Sequence, residues 1–237
     1  MSTYLLIHGG WHGAWCWDKV TPLLEAAGHT VIAPDLPGHG NDKTPIRDVT
    51  LDLYAQATVD FAAQAEEPVI VVGHSMTGLS NSQAVEMAPE KFKAQVFMAA
   101  FLLPSGKCLL DQAQPDVENL VLRNLTFSED RSRMEFNLDA VGEALYGECS
   151  AEDVARAKTL LHAQASAPFG TPVQLSEARW GRVPRYYVTC LRDRAITPKS
   201  QKAMYTANPC KEVFTIDTDH SPFLSRPEEL VEHLLTI

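Results

Sequence analysis

Short apolar runs rich in β-branched residues recur along the chain, with amphipathic stretches between them. Tyr4–His8, Thr30–Pro34, Pro68–Val72, Ala94–Ala99, Arg185–Cys190 and Glu212–Ile216 each read as a buried strand. Trp15–Ala27 carries a helical stripe through Trp17, Val20, Leu23 and Leu24. Leu51–Gln64 is helical as well, with Leu53, Ala57, Val59 and Phe61 among its apolar positions. Met76–Met87 is helical up to the stop at Pro89, and a last helix covers Pro227–Leu235. Strands alternating with crossover helices predict a parallel sheet covered on both faces. Between Pro104 and Trp180 that rhythm breaks. Asp116–Leu125, Asp139–Tyr146 and Glu152–His162 are helical patterns, and no convincing sheet strand lies among them. The prediction is one α/β unit, a mostly parallel doubly wound sheet of about six strands. Its core is formed by residues 1–103 and 181–237, and residues 104–180 form an all-helical cap over the strand ends.

The most informative segment is Gly73-His74-Ser75-Met76-Thr77-Gly78, directly after the apolar run that ends at Val72. Strand, sharp turn and helix in immediate succession make a nucleophile elbow, with Ser75 at the apex and its hydroxyl pushed out of the sheet. The usual Gly-x-Ser-x-Gly has threonine, Thr77, in place of its last glycine. That glycine serves close approach of helix and strand, so threonine implies slight extra spacing, with Gly78 available to relieve it.

A serine hydroxyl needs a base to take its proton, normally a histidine held in one tautomer by a buried carboxylate. In a doubly wound sheet these partners belong on loops at the carboxyl ends of later strands, in the order serine, acid, histidine. Asp193 follows the Arg185–Cys190 run, and His220 follows Glu212–Ile216. Of the eight histidines only His220 lies on the turn directly after the last strand. Asp217 and Asp219 are alternative carboxylates with an ordinary role as turn or helix caps. Acyl transfer also needs donors aimed at the oxyanion. Gly10, in the loop after the first strand, and Met76, at the start of the elbow helix, are the candidate backbone N–H groups.

Composition narrows the remaining classes. With 20 basic against 30 acidic residues the net charge is −10, which disfavours nucleic acid and anionic membranes as partners. No apolar stretch approaches the roughly 18 residues of a membrane span, and the first strand run begins too early for a signal peptide. Five cysteines without CxxC spacing suit unpaired, buried thiols in a reducing cytoplasm, the expected location. His8 and His12 flank glycines rather than sharing a helix face, so a metal pair is not expected. No glycine-rich phosphate motif follows a strand, so no nucleotide cofactor is expected either.

Further segments carry a family likeness. They are His8-Gly9-Gly10-Trp11-His12-Gly13-Ala14-Trp15-Cys16-Trp17, Pro22 to His29, the elbow, Ala94 to Phe101, and in the cap Leu145-Tyr146 and Cys149 to Asp153. With these the chain resembles the α/β-hydrolase superfamily, in the branch that contains plant methylesterases and hydroxynitrile lyases. The resemblance implies the α/β-hydrolase fold, no cofactor, and Asp193 and His220 as acid and base. The plant lyases of this branch carry threonine, glutamate and lysine where this chain has Gly9, His74 and Ser221. A cyanide leaving group needs a cation that Ser221 does not supply, so the likeness favours an esterase. Related bacterial enzymes include general carboxylesterases and hydrolases of bulky xenobiotic esters such as pyrethroids. The expectation is a small-molecule ester whose apolar or aromatic group lies beneath the cap, against Trp11, Leu103, Phe127, Met134 and Phe136. A lactonase with the same triad, a hydroxynitrile lyase and a hydrolase-fold ligand receptor are the alternatives. Whether the chain forms a homodimer is left open.

Overall fold

The computed structural model describes residues 1–237. Its main sheet has six strands, all parallel: β1 (Thr3–Ile7), β2 (Thr30–Ile32), β3 (Val69–His74), β4 (Phe92–Met98), β8 (Arg185–Cys190) and β9 (Glu212–Ile216), in the order β2-β1-β3-β4-β8-β9. The central strands are buried on both faces, which is why Val69–Val72 and Leu5–Ile7 are uninterrupted apolar runs. β5 (Leu125–Phe127), β6 (Arg133–Phe136) and β7 (Gln164–Ala165) lie outside this sheet, in the insertion between β4 and β8.

Helices α1 (Thr21–Ala26), α2 (Leu51–Ala62), α3 (Thr77–Met87), α8 (Pro198–Ala207), α9 (Pro222–Ser225) and α10 (Pro227–Leu234) belong to the core layers. In α2, Thr50 caps the first turn by accepting from the Leu53 N–H at 3.1 Å. Leu51, Tyr54, Ala55, Thr58 and Ala62 then recur at helical spacing on the buried face. The stretch expected as one helix from Trp15 to Ala27 is divided. A 3₁₀ turn at Ala14–Trp17 precedes α1, because Pro22 lacks an N–H and suits a helix start rather than an interior. Gly28, at φ 86°, ends α1 in the left-handed region.

The insertion carries α4 (Leu109–Ala113), α5 (Val141–Leu145), α6 (Ala151–Leu160) and α7 (Ala167–Gly170), but it is not all helical. β5, β6 and β7 form a small antiparallel sheet. The Asp116–Leu125 stretch is a chain of turns with one 3₁₀ turn at Leu122–Asn124. The reason is local: the Asn119 carboxamide oxygen accepts from the Val121 and Leu122 N–H groups at 2.6 and 3.3 Å, so a side chain takes bonds that a helix would have made. No helix is long and apolar enough to cross a membrane.

The insertion is pinned to the core by buried and charged contacts. Lys19 pairs with Asp153 of α6 at 2.8 Å, and Arg156 pairs with Asp18. The Asp219 carboxylate accepts from the Glu148 N–H at 2.8 Å. One apolar cluster of 60 residues runs through sheet, helices and insertion without a break.

Candidate active site

β1, β3, β8 and β9 all deliver loops to the same carboxyl edge of the sheet, where ligands bind in open α/β folds. Ser75 sits there between β3 and α3 with φ 57°, a left-handed conformation that a side chain rarely adopts. The tight turn depends on two glycines. A Cβ on Gly73 would lie 2.4 Å from Asn81 Nδ2, and one on Gly78 would lie 2.2 Å from the Phe101 carbonyl oxygen. Close approach thus falls at Gly78. Thr77 is fully buried, and its hydroxyl lies 2.9 Å from the His74 carbonyl and 3.2 Å from the Ile7 carbonyl. The threonine that departs from the usual elbow ties the helix start to β1 and β3.

Asp193 and His220 meet across the ends of β8 and β9. His220 Nδ1 donates to Asp193 Oδ2 at 2.7 Å, with both side chains buried. The carboxylate is held by three further donors: the Ala195 and Ile196 N–H groups to Oδ1 at 2.7 and 2.9 Å, and Gln201 Nε2 to Oδ2 at 2.9 Å. A carboxylate so anchored fixes the tautomer of the ring it binds and leaves His220 Nε2 as the free nitrogen. The alternative acids are engaged elsewhere. Asp217 forms a bidentate pair with Arg192, and Asp219 accepts from the Ser221 N–H at 2.9 Å while bracing the insertion.

His74, which stands where the plant lyases carry glutamate, has no assigned role in the sequence reading. It is fully buried, its ring lies 4.5 Å from that of His220, and its Nε2 donates to the His220 backbone carbonyl at 2.9 Å. Burial first, then His220 and His12 nearby, hold its pKa well below the usual imidazole range, so it stays neutral. Gly9 leaves room for it, since a Cβ there would lie 2.6 Å from His74 Nδ1.

The loop after β1 is braced from all sides. His8 Nδ1 donates to the Gly9 carbonyl at 2.9 Å and its Nε2 accepts from the Leu36 N–H at 3.0 Å. His12 Nδ1 donates to the Gly10 carbonyl at 2.8 Å and its Nε2 accepts from the Tyr146 hydroxyl at 2.7 Å. Burial lowers His12 to about 3. From the insertion, Gln164 Oε1 accepts from the Trp11 N–H at 3.4 Å and its Nε2 donates to the Tyr54 hydroxyl at 3.1 Å. Trp11 itself has φ 64°. The Gly10 and Met76 N–H groups find no acceptor within the chain.

Ser75, His220, Gly10, Met76, His74 and Trp11 line one narrow pocket. Most of its remaining wall is apolar and comes from Phe101, Leu109, Val121, Leu145, Phe169 and Ile196. Of the five side chains expected against the substrate, only Trp11 lines this pocket. Met134 and Phe136 lie behind it: the Met134 carbonyl accepts from Trp11 Nε1 at 3.2 Å, and Phe136 packs edge-on against the indole at 5.6 Å. Leu103 is absorbed in the core at 4% exposure. Phe127 faces outward at 41%, on the far strand of the small sheet, with Arg131 over its ring. Sequence reasoning missed the walls supplied by α4, α5, α7 and the turns after α4 because their positions depend on how the insertion folds back.

A model for the alpha/beta hydrolase family matches residues 4–233. Methylesterase 7 of Arabidopsis thaliana is 35% identical over 250 residues, which cover 99% of this chain and 95% of that protein. Among solved structures, polyneuridine aldehyde esterase superposes with a TM-score of 0.90 at 29% identity, covering 100% of this chain and 98% of the other. A pyrethroid hydrolase from Sphingobium faniae JZ-2 gives 0.87 at 27% identity, covering 99% and 96%. The chain belongs to the alpha/beta hydrolase family.

Proposed function

We propose that the protein is a cofactor-independent serine esterase that cleaves a carboxylic ester carrying an apolar or aromatic group. The observation that carries this reading is the buried Asp193–His220 pair opening into the same pocket as a strained, elbow-borne Ser75. The esterases among its relatives support it, and the pyrethroid hydrolase is a precedent for bulky apolar esters.

Ser75 Oγ attacks the ester carbonyl while His220 Nε2 takes its proton. Asp193 stabilises the resulting imidazolium and keeps the ring oriented. Negative charge developing on the carbonyl oxygen is met by the Gly10 and Met76 N–H groups, the latter at the positive end of α3. Collapse expels the alcohol, which receives the proton from His220. Water then enters, loses a proton to His220 and attacks the acyl carbon, releasing the acid and restoring the Ser75 hydroxyl. A lactone would be opened by the same steps. A hydroxynitrile lyase is disfavoured because neither lysine nor arginine lines the pocket to take up cyanide.

Steady-state hydrolysis of p-nitrophenyl esters from acetate to octanoate, with S75A as control, tests the reading. The expected result is turnover on short and medium chains that falls by at least about 10⁴-fold in S75A. Full activity in S75A, or a folded wild-type protein that turns over no ester, contradicts it.

A further inference from the structure

Resting on the ester-hydrolase reading, we infer that Asn119 is a specificity residue, and that the preferred substrates carry a second acceptor oxygen, such as a ketone or ether, on the part of the molecule held under the insertion. Asn119 lies in the turn-rich segment between α4 and β5 that closes over the pocket, and it lines the pocket while only 5% exposed. Its orientation is fixed. Oδ1 accepts from the Val121 and Leu122 N–H groups at 2.6 and 3.3 Å, so the other terminal atom is the NH₂ group. That group has no acceptor in the protein.

Apart from the catalytic groups, the other side-chain donors of the pocket are already engaged, and His74 Nδ1, an acceptor, is left without a partner. His12 uses both ring nitrogens, His74 donates to the His220 carbonyl, and Trp11 Nε1 donates to Met134. Ser75, His220 Nε2 and the Gly10 and Met76 amides are reserved for the reacting ester group. The apolar lining of the pocket, Leu109, Ala113, Val121 and Ile196 among it, offers no side-chain acceptor for its hydrogens. This donor faces the pocket rather than a protein partner, so it loses its water when substrate fills the space, and an acceptor on the bound substrate replaces that water. The same unpaired donor penalises a plain hydrocarbon chain in that position, so one residue both attracts and rejects.

Paired substrates of matched size separate this role from the turn-forming one. Methyl 3-oxopentanoate and methyl 4-oxopentanoate are compared with methyl pentanoate by kcat/KM in the wild type, N119D and N119L. N119D keeps an oxygen for the Val121 and Leu122 amides but has no donor. N119S, whose hydroxyl can serve the same turn from a shorter side chain, is the second variant should N119D fold poorly. Intrinsic reactivity cancels when each keto-to-plain ratio is divided by its wild-type value. The expected result is that the ratio for at least one keto ester falls about tenfold in N119D, or in N119S, and in N119L. Ratios unchanged from wild type, with both substrates slowed equally, overturn the inference and leave Asn119 a loop residue. Failure of folded wild-type protein to hydrolyse any of the three esters, or p-nitrophenyl esters, overturns the ester reading and this inference with it.

Discussion

At the scale of single residues, the elbow concentrates cost and function at one position. Ser75 holds φ 57° because β3, α3 and Phe101 over-determine it: the Ser75 N–H donates to the Met98 carbonyl, and the Ser75 carbonyl accepts from Phe101 at 3.0 Å. Such strain costs on the order of 1–3 kcal/mol. S75G is therefore expected to be inactive yet more stable, with a melting temperature about 2–4 °C higher for each kcal/mol relieved. A melting scan beside a p-nitrophenyl acetate assay checks it, and a destabilised S75G would contradict the strain argument. Gly78 behaves oppositely. G78A forces a Cβ against the Phe101 backbone, which cannot rotate away, so it should lose about 1–3 kcal/mol in urea unfolding.

At the scale of elements, the loop after β1 and the insertion act together through Gln164. That residue reaches from β7 to the Trp11 N–H and to Tyr54, and Tyr54 in turn meets His39. Q164L removes this brace from the Gly10 loop and leaves the Asp193–His220 pair untouched. The expected outcome is a kcat about tenfold lower with KM changed far less, and partial recovery in Q164E, which retains Oε1. An equal loss in both variants would indicate a packing role alone.

The sequence made the six-strand sheet, Ser75, Asp193 and His220 legible because each depends on short-range pattern: a β-branched run, a turn, the order of strand ends. Gly78 was legible for the same reason. The insertion was not. Asn119 diverts an otherwise helical pattern into turns, and β5–β7 are too short to stand out from loop sequence. Nothing short-range set Trp11 apart from Leu103, Phe127, Met134 and Phe136, although it adjoins Gly10. Met134 and Phe136 could not be separated from true wall residues, since an apolar side chain behind Trp11 reads like one in front of it.

At the scale of the whole molecule, four histidines stay buried and neutral around the site. Burial, in every case the largest cause, lowers His12 to about 3 and His39 to about 4, and holds His8 and His74 well below the ordinary range. For such groups the unfolded chain binds protons that the folded chain refuses, so stability rises with pH in this window. It is complete above the ordinary histidine pKa of about 6.5 and is lost progressively as the pH falls from there towards 4. Urea midpoints measured from pH 7.5 down to 5 should fall steadily, with about four protons taken up on unfolding near pH 5. Midpoints independent of pH across that range would mean that these rings are charged in the folded state.

The central claim is that one serine, activated by the Asp193–His220 pair, carries the acyl group. Incubation with a fluorophosphonate ester, followed by intact-mass and peptide analysis, reads this directly. One adduct per chain on Ser75, formed in parallel with loss of esterase activity and absent in H220A, is the predicted result. Esterase activity that survives stoichiometric labelling, or an adduct on another residue that tracks its loss, would contradict it.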